Sequence, residues 1–220
     1  TPTYKRIYGD WTKPQLASWK SVLLSYSITP IQQYSYTTGK NATDSALIID
    51  AMDILYSGNV EGFCIVSSDS DFTRLVARLR ESGMYVIGMG EKKTPTPFIA
   101  ACEIFKYLEV LAAPAPQPDK EEEAPVNGNA KPAQPAKEGM ASREEIIEAL
   151  KVIITESSDE DGWAYLGQVG KLLNKRYPDF DTRNYGFSKL TPFVSSLKQF
   201  EIQTRRTGSP HGSHKYVRIK

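Results

Sequence analysis

The stretch Phe63-Cys64-Ile65-Val66-Ser67-Ser68-Asp69-Ser70-Asp71-Phe72 runs four apolar residues into a turn of serines and aspartates, and Phe72 then opens a new apolar pattern with Leu75, Val76 and Leu79. Spacings of three and four predict an amphipathic helix. The unbroken apolar run ahead of the turn predicts a buried strand. Strand, polar turn and helix in that order make one unit of an open parallel sheet, in which ligands bind at the carboxyl ends of the strands. Asp69 and Asp71 lie in that turn. Carboxylates make poor core residues, because a buried charge needs a partner. Two readings fit: an acidic residue capping the helix, or oxygen ligands for a hard divalent cation such as Mg²⁺ or Mn²⁺.

A second stretch bears on that choice. Gly39-Lys40-Asn41-Ala42-Thr43-Asp44 leads into Ser45 to Tyr56, whose Ala46, Leu47, Ile48, Ile49, Met52, Ile54 and Leu55 predict a largely buried helix. Asp44 lies in its first turn, where the helix dipole favours negative charge. Asp53 is nine residues on, roughly 180° around the helix. Asp50 and Asp53 are therefore read as surface or salt-bridge residues, and Asp44 is kept as a site residue. Helix starts and strand ends face the same edge of a doubly wound sheet. Asp44, Asp69 and Asp71 on one edge are explained more simply as a metal-binding cluster than as three separate caps. Glu91, after a predicted strand Tyr85 to Gly90, reaches the same edge and reads as a solvated loop glutamate. Lys40 and Asn41 are placed to contact a phosphate. Elsewhere in this half we expect strands within residues 5–11 and 28–36, a helix over 14–24, a helix from Thr96 through Phe105 and a closing strand from Phe105 to Val110.

At 40% hydrophobic and 24% charged residues the chain has the make-up of a globular protein. No apolar run approaches a membrane span, and the first residues do not read as a signal peptide, so a cytoplasmic location is expected. Cys64 and Cys102 lie in apolar settings and are expected to be buried, reduced thiols. Two His and two separated Cys leave no zinc site of the usual spacing. Residues 112–140 are rich in Ala, Pro, Lys and Glu with hardly a large apolar side chain, which predicts a disordered linker. Beyond it, Ser142 with Glu145 makes a capping box. Ile146, Ile147, Leu150, Ile153 and Ile154 follow on one helical face. A second helix carrying Leu166, Val169, Leu172 and Leu173 and ending near Tyr177-Pro178, a third over roughly 188–197, and strands over 200–206 and 214–219 complete a winged-helix pattern. After Gly162 the chain holds 11 basic and 3 acidic residues, an electrostatic footprint that suits nucleic acid, although a solvated basic face would look the same.

Both halves resemble known families. Gly39-Lys40-Asn41-Ala42-Thr43-Asp44, Ser67-Ser68-Asp69-Ser70-Asp71-Phe72 and Gly88-Met89-Gly90-Glu91-Lys92-Lys93-Thr94-Pro95 resemble the NYN domain, a branch of the PIN-like ribonucleases. Gly162-Trp163, Leu166-Gly167, Tyr177-Pro178-Asp179-Phe180-Asp181, Arg183, Tyr185-Gly186-Phe187 and Lys189-Leu190 resemble the OST-HTH or LOTUS domain, as in bacterial proteins that join the two. The resemblance implies a PIN-like doubly wound parallel α/β sheet over residues 1–111, lacking the family's acidic first strand, and a small winged-helix-like α+β domain over 141–220. Ser68 stands where many relatives have Gly.

The resemblance further implies metal-dependent hydrolysis of RNA. Asp44, Asp69 and Asp71 would be catalytic and bind Mg²⁺ or Mn²⁺, with Ser67, Ser68, Ser70, Lys40 and Asn41 in support. Lys171, Lys175, Arg176, Arg183, Lys189, Arg205 and Arg206 are the expected phosphate contacts. Tyr185 and Phe187 are read as core residues rather than as stacking platforms. The rival expectations are a non-catalytic RNA-binding adaptor, or a module whose LOTUS helices grip a protein.

Overall fold

The computed structural model of the chain describes residues 2–34, 41–112, 140–206 and 213–220. It forms two compact units, Thr1–Phe63 with Asp71–Tyr85 and Cys64–Ser70 with Val86–Lys220. The residues expected to form the linker lie almost wholly outside the described ones, as do Lys40, residues 35–36 of the expected second strand and the tip of the C-terminal hairpin.

In the first unit, strands β1 (Arg6–Gly9) and β2 (Thr29–Gln32) pair in parallel, Arg6 opposite Thr29 and Gly9 opposite Gln32. A parallel pair needs a crossover. Here it is a 3-10 turn, Pro14–Leu16, and helix α1 (Ala17–Leu23). Helix α2 (Ala42–Ser57) lies against β1 and stops at Gly58, whose φ of 69° is a left-handed conformation that glycine adopts without strain. Asp50 accepts hydrogen bonds from the Arg6 guanidinium and the Tyr8 hydroxyl. Burial alone would raise its carboxyl, but these donors outweigh it and hold Asp50 below the usual range. The salt-bridge role read from its place on the helix is thus observed.

Helix α2 is less buried than its apolar content predicts. Ala51 is its one buried residue, and Ile49 is 62% exposed. A ribbon of two strands about 5 Å apart covers only one side of a helix roughly 10 Å across. Helix α3 (Thr73–Glu81) keeps the predicted face, with Leu75, Val76 and Leu79 buried.

Strands β3 (Gly62–Val66), β4 (Tyr85–Gly90) and β5 (Ile104–Tyr107) form a parallel sheet in that order. Helix α4 (Thr96–Ala101) links β4 to β5, and the short helix α5 (Leu108–Ala112) follows. Val86, Phe98 and Phe105 are fully buried, and the two phenylalanine rings meet edge to face at 6.1 Å.

Three expectations are corrected here. The helix from Thr96 ends at Ala101, because Cys102 turns extended and the Glu103 N–H joins the ladder by donating to the Val86 carbonyl at 3.0 Å. Phe105 is therefore a strand residue. The closing strand ends at Tyr107, where α5 begins. On β3, Ile65 is buried but Cys64 is exposed and Val66 is 57% exposed. An apolar run alone does not say that both faces of a strand are covered. Cys102 is buried, as expected.

The remainder of the second unit starts with helix α6 (Arg143–Ser157). Both bonds of its capping box are present: Glu145 N–H to Ser142 Oγ at 3.1 Å, and Ser142 N–H to Glu145 Oε2 at 2.6 Å. Strand β6 (Ala164–Tyr165), helix α7 (Leu166–Arg176), a 3-10 turn (Thr182–Tyr185), helix α8 (Leu190–Ser196) and strands β7 (Phe200–Arg206) and β8 (Ser213–Ile219) follow. The predicted hairpin gains β6 as a third strand, giving an antiparallel sheet in the order β6-β8-β7. Ile146, Leu150, Val169, Leu173, Phe193, Val194 and Val217 fill one core between the helices and the inner sheet face.

The outer edge of β5 is closed by the segment after α7. The Phe105 N–H donates to the Pro178 carbonyl at 2.7 Å. The Tyr107 hydroxyl donates to Asp179 Oδ2 at 2.9 Å, and Lys106 Nζ donates to Asp181 Oδ2 at 2.7 Å. An uncovered strand edge offers unpaired backbone groups to other chains. Here one such group and two neighbouring side chains are satisfied within the fold.

Candidate functional site

The turn after β3 is built by its serines. Ser67 continues the pairing with β4, its N–H donating to the Met89 carbonyl at 2.8 Å. Its hydroxyl accepts from the Asp69 N–H at 3.1 Å, which bends the chain, and Ser68 Oγ accepts from the Glu91 N–H at 2.8 Å. The turns that follow β3 and β4 are therefore tied together. Gly90 is required there: a Cβ would lie 2.5 Å from the Ser67 carbonyl oxygen. Glu91 is paired with Lys93 at 2.5 Å, which fits its reading as a solvated loop residue. Ser70 and Asp71 open a 3-10 turn that sinks Phe72 into the core at 3% exposure. Asp69 and Asp71 are exposed.

In the first unit, Asn41 precedes α2 and its Nδ2 donates to Asp71 Oδ2 at 3.0 Å. Asn41 thus holds a carboxylate. Asp44 lies half-buried in the first turn of α2. The oxygen donors Asp44, Asp69 and Asp71 suit a hard cation chemically. Among the described residues, no three His, Cys, Asp or Glu side chains stand close enough together to hold an ion.

The expected phosphate contacts divide into two kinds. Lys171, Lys175 and Arg176 are exposed on α7, and Lys189 is exposed just before α8. Arg183 is committed to Asp181, with Nε to Oδ1 at 3.0 Å and Nη2 to Oδ2 at 2.8 Å. Arg205 lies over two aromatic rings, Trp163 and Tyr216. Arg206 belongs to β7. Tyr185 and Phe187 pack on Phe193, with ring centroids 5.2 and 5.6 Å away, so both are core residues. The sequence reading passed over Tyr165, His214, Tyr216 and Arg218. Their signal was an alternating pattern whose meaning depends on strand register.

Among the described residues, no helix is long and apolar enough to cross a membrane. A comparison with curated proteins found no match. Among solved structures, the chain is similar to an uncharacterized protein from Nitrosomonas europaea, with 32% identity over 46% of this chain and 91% of that one and a TM-score of 0.34. It is also similar to residues 175–257 of a protein from Chromobacterium violaceum, with 33% identity over 33% of this chain and 76% of that one and a TM-score of 0.28. A protein of unknown function from Vibrio parahaemolyticus matches at 19% identity over 48% of this chain and 68% of that one, with a TM-score of 0.40. Two sequence-family models match successive parts of the chain, at residues 2–109 and 141–211. The first points to a PIN-like nuclease, a class that generally uses divalent metals, and the second to RNA binding. The chain carries an NYN domain, residues 2–109, followed by an OST-HTH/LOTUS domain, residues 141–211.

Proposed function

We propose that the chain is a cytoplasmic ribonuclease that hydrolyses RNA phosphodiester bonds within residues 1–111 and holds the RNA with residues 141–220. The observation that carries this reading is the match to an NYN domain over a span that contains Asp44, Asp69 and Asp71 at the ends of its helices and strands. Mg²⁺ or Mn²⁺ is the proposed cofactor, with these three carboxylates as its ligands. Such an ion would activate a water and stabilise the charge that develops on the phosphate. The chain's own residues supply positioning: Asn41 fixes the Asp71 carboxylate, Ser67 sets the bend that carries Asp69, and Ser68 joins that bend to the turn at Glu91.

One observation favours a second reading. The match to an OST-HTH/LOTUS domain over residues 141–211 suits an adaptor that binds RNA without cutting it.

The test is cleavage of a labelled single-stranded RNA by the full chain in Mn²⁺, in EDTA, and by Asp69→Asn. We expect EDTA to stop cleavage. We expect Asp69→Asn to lower the rate on the order of 100-fold or more, the size of effect seen when a principal charge-stabilising group is removed from a hydrolytic site, while RNA binding is retained. Unchanged cleavage by Asp69→Asn would remove that residue from the mechanism. Binding with no cleavage in any metal would establish the adaptor.

A further inference from the structure

We propose that the outer face of the β6-β8-β7 sheet is a stacking platform for the bases of single-stranded RNA. The proposal rests on the RNA-binding reading above and gives it a place.

The register sets the face. Tyr165 lies opposite Tyr216, Gln203 opposite Tyr216, Arg205 opposite His214, and Glu201 opposite Arg218. Side chains alternate along a strand. Val217 and Ala164 therefore point into the core, where they are fully buried, and their neighbours point out. An antiparallel sheet with one solvated face normally carries polar residues there. This one carries Trp163, Tyr165, His214 and Tyr216, with Arg205 and Arg218 between them.

The rings are arranged rather than scattered. The Tyr165 and His214 centroids are 5.0 Å apart, edge to face, and Tyr165 and Tyr216 are 5.9 Å apart. Arg205 lies 4.6 Å from the Tyr216 centroid and 5.4 Å from that of Trp163, and Arg218 lies 4.7 Å from Trp163. The two guanidinium groups cover Trp163, which is only 8% exposed, and leave Tyr165 open at 41%. Gly167 makes this possible, since a Cβ there would stand 2.8 Å from the Tyr165 ring. The ring is seated on the start of α7, beside His214 and Tyr216, and stays 41% exposed.

Charge selects the occupant. After Gly162 the chain has 11 basic residues against three acidic ones, Asp179, Asp181 and Glu201. All three acids are engaged within the fold: Asp179 by Tyr107, Asp181 by Lys106 and Arg183, and Glu201 by Arg218. On the face itself Arg205 pairs with Asp159 at 3.5 Å and Arg218 with Glu201 at 2.8 Å, so the positive surplus that complements a polyanion with exposed bases comes from the other basic residues after Gly162. Planar rings receive the bases, and basic side chains receive the phosphates or, as arginine, stack in turn. A duplex hides its base faces, so the ligand is single-stranded.

The test measures binding of a fluorescent single-stranded RNA by the full chain in EDTA, so that cleavage does not interfere. Tyr165→Ala and His214→Ala should each weaken binding by about 5- to 150-fold, the range found for losing one base–aromatic stack. Tyr165→Phe, which keeps the ring, should bind like the parent. A thiouridine-substituted RNA cross-linked to the unmutated chain should label the peptides that carry Tyr165, His214 or Tyr216, a readout independent of any variant's folding. Parent-level binding by both alanine variants, or cross-links confined to α7, would overturn the platform while leaving RNA binding intact. If the parent chain binds no RNA, the underlying reading itself fails. Equal affinity for single-stranded DNA would keep the platform and remove its selectivity for RNA.

Discussion

Replacing Phe193 by Ala is expected to destabilise the C-terminal domain by roughly 3–5 kcal/mol, the usual range for truncating a fully buried phenylalanine. Phe193 has no solvent exposure. Its ring lies 5.8 Å from that of Phe180, 5.2 Å from Tyr185 and 5.6 Å from Phe187, so one residue holds three aromatic neighbours in place. Removing it leaves a cavity that rigid rings cannot collapse to fill, which places the cost toward the top of the range. For a domain of this size the melting transition should fall by at least about 12 °C. Calorimetry or urea denaturation would measure it. A loss below about 1 kcal/mol would mean that Phe193 is not the centre of the core, and would return Tyr185 and Phe187 to the candidates for RNA stacking.

Asp181→Ala should be the second most damaging change, at about 1–3 kcal/mol, because it leaves several partly buried donors without an acceptor. The Asp181 side chain is 12% exposed and accepts from Lys106, from the Arg183 guanidinium, and from the Arg183 N–H at the start of the 3-10 turn. Burial by itself would raise its carboxyl. The donors from Arg183 and Lys106 outweigh burial and hold it far below the usual carboxylate range. A depressed native pKa contributes stability that is complete above the unfolded value, about 3.9, and fades as pH falls toward the native one. The gap between parent and variant should therefore be widest at pH 5–7 and shrink from about pH 4 downward. Asp179 runs the other way. Burial raises its carboxyl, and the Tyr107 hydroxyl offsets this only in part. The native state takes up that proton before the unfolded chain does, so the burial penalty of Asp179 is relieved as pH falls through its raised value. Urea denaturation of both proteins at pH 7, 5 and 3 tests this. A gap that stays constant across the series would show that the Asp181 charge does not stabilise the fold.

The local elements were legible where sequence pattern and tertiary context agree. The turn after β3 and the face of α3 followed from Phe72, Leu75, Val76 and Leu79. The capping box at Ser142 and the order of three helices and a hairpin followed in the same way. What the sequence left out was set by partners distant along the chain. The apolar content of α2 gave no sign that its covering ribbon is two strands wide. Nothing in Thr96–Phe105 announces that Glu103 will be drawn into pairing with Val86, which cuts the helix short. Asp44, Asp69 and Asp71 could be read as an acidic edge, but whether they gather is a matter of distances that sequence spacing does not set. The aromatic face was invisible for a related reason. Tyr165, Arg205 and Tyr216 are spread over about fifty residues, and only the antiparallel register puts them side by side.

The closure of β5 has a consequence for synthesis. Lys106 and Tyr107 meet partners 75 and 72 residues further along the chain. A ribosome adding about 5–20 residues per second needs several seconds to make that length. Among the described residues it is Pro178 to Asp181 that meet Phe105–Tyr107, and through that interval the nascent NYN domain is without them. Translation that stalls after residue 112 would release a domain without this closure, the form most exposed to pairing with a neighbouring chain on the same message.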